Sequence, residues 1–336
     1  MNRIAIIGAG GWGTALGLVA GRAGHAVRLW SRNGEVVESV NRERVNEYYL
    51  AGHKLAGDVT ATGDAARALG GAEIVILAAP SHATRELLRR EGRAVPSSAV
   101  VVSAAKGVEI ETGRRISEIV REELGEGAAA RFVCLSGPSF AREVAEGRPT
   151  AVVAAAADIE LAGRVQSALS FGNLRVYTND DVVGTELGGA VKNVIALAAG
   201  MVAGLGTNSV AALVTRGLTE IVRLATAEGA RVETLMGLAG LGDLVLTATG
   251  PLSRNRRVGE ELALGRSLEE ITSGMREVAE GVRTTRAVRE LAARRNVEMP
   301  ITEQVYAVLY EGRGVGHAVE ELMARPLKGE FDGGAY

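Results

Sequence analysis

The segment Gly8-Ala-Gly-Gly-Trp-Gly13, directly after the apolar run Arg3–Ile7, constrains the fold of this chain more than any other. A short apolar run that breaks at glycines and passes into the helical pattern Thr14–Arg22 reads as strand, tight turn and helix, the opening of a βαβ unit. Gly8 permits the turn, Gly10 lets a ligand approach the backbone, and Gly13 lets the helix pack closely on the strand. The helix begins with unmatched N–H groups that favour an anion. In this context the G-x-G-x-x-G spacing points to the pyrophosphate of a dinucleotide.

The alternation continues through the first half. β-Branched runs at Arg3–Ile7, Ala26–Trp30, Glu73–Ala78, Ala99–Ser103, Arg131–Leu135 and Thr150–Ala154 are separated by helical patterns such as Ala83–Arg90 and Thr112–Leu124. Strands that alternate with helices predict an α/β domain with a doubly wound, Rossmann-like, mostly parallel sheet. After Leu174-Arg-Val-Tyr177, the polar cluster Thr178-Asn-Asp-Asp181 can end a strand and cap a helix. From there the period becomes helical, around 182–204, 209–228, 258–264, 284–294 and 302–311. The expected organisation is a dinucleotide-binding domain over 1–179, an all-α substrate domain over 180–330, and a frayed tail at 331–336.

Bulk composition narrows the partners. With 336 residues and 47% hydrophobic side chains, each half can bury an ordinary core. A net charge of −2 with interspersed signs gives no basic footprint for nucleic acid and no cationic face for a membrane, so small molecules are the expected ligands. The apolar stretch Val194–Gly206 is too short and too rich in glycine and alanine for a bilayer, and reads as a core helix. The N-terminal apolar run breaks at Gly8, unlike a secretory signal, and predicts a cytoplasmic protein. Cys134 is the one cysteine, which excludes an internal disulfide and a cysteine-based metal cluster; within Arg131–Leu135 it reads as a buried filler. No metal is expected.

The end of the second strand reports on the nucleotide. An acidic residue there would bond the ribose 2′-hydroxyl of NAD, but the chain reads Trp30-Ser-Arg-Asn33. Arg32 suits a 2′-phosphate, so NADPH is the expected cofactor, with NADH kept open by the nearby Glu35.

Lysine is rare: 54, 106, 192 and 328 are its only positions among 38 basic residues. A desolvated lysine can give up its proton and an arginine cannot, so Lys106, after a strand, and Lys192, within an apolar helix, are the candidates for proton transfer. A free lysine, with a pKa near ~10.4, is a poor base at neutral pH; an apolar helix and a second cation at Lys106 would lower it, and a bound phosphate would oppose that shift. Gly188 and Gly189 lie within one turn of Lys192 and would leave the helix bare for a substrate. Three further segments combine glycine with polar groups: Ser103-Ala-Ala-Lys-Gly107, Leu135-Ser-Gly-Pro-Ser-Phe-Ala141, and Leu238-Ala-Gly-Leu-Gly-Asp243 followed by Ser253-Arg-Asn-Arg-Arg257. Arg254 offers a planar fork of donors, Asn255 an amide, and Ser253 a helix cap, which together suit a phosphate. Asp243 reads either as a helix-end acid or as the group that orients Lys192 or a substrate hydroxyl.

Taken together with Gly189-Ala-Val-Lys-Asn193, these segments closely resemble the bacterial-type NAD(P)-dependent glycerol-3-phosphate dehydrogenase family, in order from about Arg3 to Lys328. The resemblance implies reversible reduction of dihydroxyacetone phosphate to sn-glycerol 3-phosphate for glycerophospholipid synthesis, and a homodimer. It gives Lys192 the role of proton acceptor in the oxidative direction. Lys106, Gly137, Ser139, Asp243, Ser253, Arg254 and Asn255 would contact substrate, and Trp12, Arg32, Lys106, Ala141, Arg254, Val278 and Glu280 the cofactor. Gly11 stands where serine is common, which matters little if that position donates a backbone N–H. Ala51 departs from the usual Tyr-Leu-Pro-Gly and would loosen its loop, and Gly250-Pro251 stands where other small residues are frequent. His82 is expected to be structural, since Lys192 fills the acid's place. The nearest rivals are a hydroxyacid or ketopantoate-type dehydrogenase and a non-catalytic dinucleotide sensor.

Overall fold

The computed structural model describes residues 1–275, 279–327 and 329–330. Among these, eight strands form one sheet: β1 (Arg3–Ile7), β2 (Ala26–Trp30), β3 (Val59–Thr62), β4 (Ile74–Leu77), β5 (Val100–Ser103), β6 (Phe132–Ser136), β7 (Thr150–Ala155) and β8 (Leu174–Asn179). Their order is β3-β2-β1-β4-β5-β6-β7-β8. Every neighbouring pair is parallel except β6 and β7. The order 3-2-1-4-5-6 is that of dinucleotide-binding sheets, with its reversal between β1 and β4.

Helices cover both faces of the sheet, as a parallel sheet requires. They are α1 (Gly11–Arg22), α2 (Gly34–Arg42), α3 (Ala65–Leu69), α4 (Ser81–Glu91), α5 (Ile116–Leu124), α6 (Glu126–Ala129), α7 (Ala141–Ala145) and α8 (Ile159–Leu169). Alternate side chains of each strand enter opposite cores: Ile4 and Ile6 join one with Leu16 and Leu29, Ala5 and Ile7 the other with Ile119 and Phe132. Cys134 is buried in the second core.

Two features differ from the sequence reading. Strand β3 is four residues, Val-Thr-Ala-Thr, too short and polar to announce itself. Helix α5 begins at Ile116 rather than Thr112, because Gly113 takes a left-handed φ of 70° that ends the preceding turn.

The chain divides into two compact units, Met1–Lys106 with Arg114–Thr185, and Gly107–Gly113 with Glu186–Tyr336. In the described residues the second unit is helical: the remainder of α9 (Val182–Val202), then α10 (Thr207–Ala227), α11 (Val232–Leu235), α12 (Asp243–Thr249), α13 (Arg254–Ala263), α14 (Leu268–Ser273), α15 (Glu280–Arg295), α16 (Pro300–Tyr310) and α17 (Val315–Met323). The expected tail at 331–336 lies outside the described residues.

Helix α9 is apolar over most of its surface because nearly all of it is buried, the charged exceptions being Glu186 and Lys192. The helical run Val182–Leu205, expected around 182–204, matches a membrane span in length and hydropathy, yet most of it is buried inside the protein, as a core helix is. Glycines let neighbours reach its backbone. A Cβ on Gly200 would lie 1.9 Å from the Arg256 carbonyl oxygen, and one on Gly259 of α13 would lie 2.0 Å from that of Leu197, so α9 and α13 cross backbone against backbone.

Candidate active site

In the first unit, the turn after β1 is held from below. The N–H groups of Gly8 and Ala9 both donate to the Trp30 carbonyl at the end of β2. Gly8 has a φ of 116°, and a Cβ there would meet the Ala78 and Ala79 backbone at 2.8 Å, so only glycine fits at the point where the strand order reverses. A Cβ on Gly13 would strike the Gly8 carbonyl oxygen at 2.0 Å, the close helix-to-strand packing expected of the third glycine. Gly10 differs: nothing lies within 4 Å of the position its Cβ would take. Open space at Gly10, above the uncapped start of a 12-residue helix, fits a pyrophosphate. Beside it, Trp12 carries a buried indole N–H with no partner among the described residues, while Gly11 is the first helical residue.

Arg32 and Glu35 are both exposed just after β2. Between them Asn33 caps α2 through its side-chain oxygen, which accepts from the Glu35 N–H at 2.9 Å. The cap fixes the turn that presents Arg32 at the strand's carboxyl end. Ala141 begins α7, packs against the core and stands two residues after Ser139.

Lys106 leaves the end of β5 and donates to the Gly137 carbonyl at 2.8 Å and to Ser139 Oγ at 3.4 Å. Gly137 has a φ of 121°, and its Cβ position lies 3.0 Å from Val152 Cα. The structure thus brings together Lys106, Gly137 and Ser139, three residues from two separate segments of the sequence. The neighbouring Ser136 Oγ is buried with no hydrogen-bond partner among the described residues.

In the second unit, Lys192 of α9 is 4% exposed and Asp243 of α12 is 1% exposed. Lys192 Nζ donates to Asp243 Oδ1 at 2.6 Å and to Thr247 Oγ1 at 2.7 Å. The Thr247 hydroxyl donates in turn to the Asp243 carbonyl at 2.6 Å, which leaves a lone pair for the ammonium. Asp243 is therefore not an ordinary helix-end acid but the counter-ion of Lys192. Thr247 escaped the sequence reading, although its place four residues after Asp243 puts both on one helix face.

Gly188 does not leave the helix bare for a substrate, as the sequence suggested. Its Cβ position lies 2.7 Å from the Ala239 carbonyl oxygen and 3.3 Å from Gly240 Cα. The missing side chain admits the glycine-rich turn Leu238–Gly242, and that turn delivers Asp243 to Lys192.

Ser253 caps α13, accepting from the Arg256 N–H at 3.2 Å, and Arg254 is the exposed first residue of that helix. Asn255 is buried, and its amide is already engaged: Nδ2 donates to Asn193 Oδ1 at 2.8 Å, and Oδ1 accepts from the Gly281 N–H at 3.0 Å. It joins α9, α13 and the start of α15. Asn193, next to Lys192 in sequence, is the partner that sequence reasoning did not single out. Glu280 is the half-buried first residue of α15, whereas Val278 lies outside the described residues. His82 lies half-buried in the first turn of α4.

Comparison with known proteins agrees over both units. Residues 3–162 match the family model described as NAD-dependent glycerol-3-phosphate dehydrogenase N-terminus, and residues 181–320 the corresponding C-terminus. The chain is 54% identical over 330 residues to "Glycerol-3-phosphate dehydrogenase [NAD(P)+]" of Koribacter versatilis, covering 97% of this chain and 98% of that protein. A protein with the same description from Nitratidesulfovibrio vulgaris is 51% identical, over 98% of this chain and 100% of the relative. The crystal structure of glycerol-3-phosphate dehydrogenase from Coxiella burnetii superposes with a TM-score of 0.92 at 40% identity, covering 96% of this chain and 99% of that one.

Proposed function

Since the chain belongs to the NAD-dependent glycerol-3-phosphate dehydrogenase family, we propose that the buried Lys192 is its proton-transferring group, held ready by Asp243 and Thr247. The protein is an NAD(P)-dependent oxidoreductase that interconverts dihydroxyacetone phosphate and sn-glycerol 3-phosphate, a supply route for glycerophospholipid synthesis. A nicotinamide held at the glycine loop would supply or take up the hydride at the carbon that is carbonyl in the ketone and carbinol in the alcohol. Lys192 holds a proton at Nζ, stabilises charge that grows on the ketone oxygen during reduction, and then delivers the proton to it. In the oxidative direction the same nitrogen receives it. Asp243 and Thr247 fix the direction of the Nζ hydrogens. The observation that carries this reading is the buried Lys192–Asp243 pair at 2.6 Å.

For the phosphate, the first turn of α13 offers backbone N–H groups, the Arg254 guanidinium and the Ser253 cap. Asn255 acts chiefly by holding that turn to α9 and α15. Lys106, Gly137 and Ser139 form the substrate-contacting group of the first unit, and the glycine loop with Gly8, Gly10, Gly11, Trp12 and Gly13, together with Arg32, Lys106, Ala141, Arg254, Val278 and Glu280, takes the nucleotide. The exposed Arg32 supports NADPH as the preferred cofactor over NADH. The working assembly is a homodimer in the cytoplasm. Exposed apolar side chains on the second unit, Leu205, Met236, Val245 and Leu252, favour self-association.

A spectrophotometric assay of nicotinamide oxidation with dihydroxyacetone phosphate, run with NADPH and NADH, tests reaction and cofactor together. Turnover with NADPH at the lower KM is expected. Absence of turnover with dihydroxyacetone phosphate, alongside activity on a hydroxyacid or ketopantoate, would overturn the assignment.

A further inference from the structure

The glycine loop is held in place by a residue that no motif contains. Asn46 lies between α2 and β3 and is fully buried, at 0% exposure. Its Nδ2 donates to the Ala9 carbonyl at 2.9 Å and to Thr14 Oγ1 at 2.8 Å, and its Oδ1 accepts from the Tyr49 N–H at 3.2 Å. A carbonyl needs a donor and an N–H needs an acceptor, so the partners themselves dictate which end of the amide points where. Aspartate, an acceptor only, would satisfy Tyr49 and confront Ala9 with another oxygen.

The bond to Ala9 has a consequence one atom further along. A trans peptide is planar, with its C=O and N–H directed oppositely. Fixing the Ala9 carbonyl toward Asn46 therefore turns the Gly10 N–H the other way, at the residue whose Cβ position opens onto empty space. The other side of the turn is already fixed, since Gly8 and Ala9 donate to Trp30. The Ala9–Gly10 peptide is the remaining hinge of the loop, and Asn46 sets it by the shorter of two bonds to the Ala9 carbonyl, the Thr14 hydroxyl donating to the same oxygen at 3.4 Å while it accepts from Asn46.

Asn46 is itself well anchored. Its carbonyl accepts from the Leu50 N–H at 2.9 Å, Leu50 and Leu55 enter the core, and the Leu55 N–H donates to Arg44 at 2.7 Å. Arg44, with a φ of 63°, returns its guanidinium to the Val59 and Ala56 carbonyls. The segment expected to be loosened by Ala51 is tied at both ends.

We propose that Asn46 is a positioning residue for the dinucleotide: it locks the Ala9–Gly10 peptide so that the Gly10 N–H faces the pyrophosphate before the nucleotide arrives. The proposal rests on the reading of the glycine loop as the nucleotide site. Asn46→Asp keeps the shape and the Tyr49 bond and removes the donor. Its Kd for NADPH and for ADP-ribose, measured by fluorescence and calorimetry, should rise about tenfold, the scale of one lost hydrogen bond, while the KM for dihydroxyacetone phosphate moves far less. A folded Asn46→Asp protein that binds both ligands within twofold of the unmodified enzyme overturns the proposal.

Gly10→Val separates the two ideas. Gly10 has an ordinary φ of −71°, so valine adds no backbone strain and simply fills the open space. If Gly10→Val binds NADPH normally, the nucleotide site itself is misplaced; if it fails to bind while Asn46→Asp binds normally, the role of Asn46 alone is wrong. Should Asn46→Asp not fold, a crystal structure of the unmodified enzyme with ADP-ribose decides. Gly10 N within hydrogen-bond reach of a pyrophosphate oxygen, with Asn46 still on Ala9, supports the proposal, and a flipped Ala9–Gly10 peptide or a displaced Asn46 overturns it.

Discussion

Lys192 Nζ stands 2.6 Å from Asp243 Oδ1, with both side chains almost wholly withdrawn from water. Isolated, either charge would be costly in that place; paired and hydrogen-bonded, they offset each other. Such a pair adds little net stability compared with an apolar replacement, but loss of one partner leaves the other stranded. Its value here is geometric: a rigid ammonium whose direction is set by Asp243 and Thr247.

Gly188 controls that geometry from one turn before Lys192 on the same helix, α9. In Gly188→Ala the new Cβ would sit 2.7 Å from the Ala239 carbonyl, backbone against backbone, and the turn carrying Asp243 must retreat. We expect kcat to fall about 10²-fold, as for a misplaced catalytic group, with nucleotide Kd little changed. Steady-state kinetics beside a nucleotide titration checks this; unaltered kcat in the alanine variant would mean that the turn has slack.

The proposed contact of Arg32 with a 2′-phosphate would distinguish the nucleotides by charge. Arg32→Ala should raise the KM for NADPH about tenfold or more, the scale of a charge-assisted contact, and leave the KM for NADH nearly as it was. Equal effects on both cofactors would move the 2′-phosphate contact elsewhere.

Glu220 makes stability depend on pH. It is 2% exposed on α10, and its carboxylate accepts from the N–H groups of Ile301 and Thr302 and from the Thr302 hydroxyl at the start of α16. Burial outweighs these donors and the nearby Arg223, and pushes the carboxyl from the ordinary 4.5 up to about 7. A carboxyl raised on folding stabilises fully below about 4.5, and that contribution is lost as pH climbs through about 7. The loss between pH 5 and pH 8 should amount to about 3 kcal/mol at most. Urea melts over this range should lose that slope in Glu220→Gln; an identical slope in the variant would assign it to other groups.

Much of this was legible in the sequence, for physical reasons. Gly8, Gly10 and Gly13 could be read because a tight strand-to-helix turn tolerates few alternatives, and the sheet order follows from the alternation it begins. Lys106, Gly137 and Ser139 are grouped through the resemblance, and the structure joins them after the neighbouring strands β5 and β6. Strand β3 was not legible because Val-Thr-Ala-Thr, although it alternates, is only four residues long and is recruited by pairing with β2. Gly188 misled because a bare helix face looks the same in sequence whether a ligand or another backbone fills it. Asn46 was silent because a buried amide 37 residues from its acceptor has no local pattern at all.

The most direct test of the account replaces the ammonium and leaves its volume. Lys192→Met should reduce dihydroxyacetone phosphate turnover by about 10²-fold or more, the scale of a lost general acid, while a titration of the same folded protein with NADPH gives a Kd within about threefold of the unmodified enzyme, since the proton-transferring group contributes less than one hydrogen bond to nucleotide affinity. Turnover within tenfold of the original in that variant would contradict the central role of Lys192.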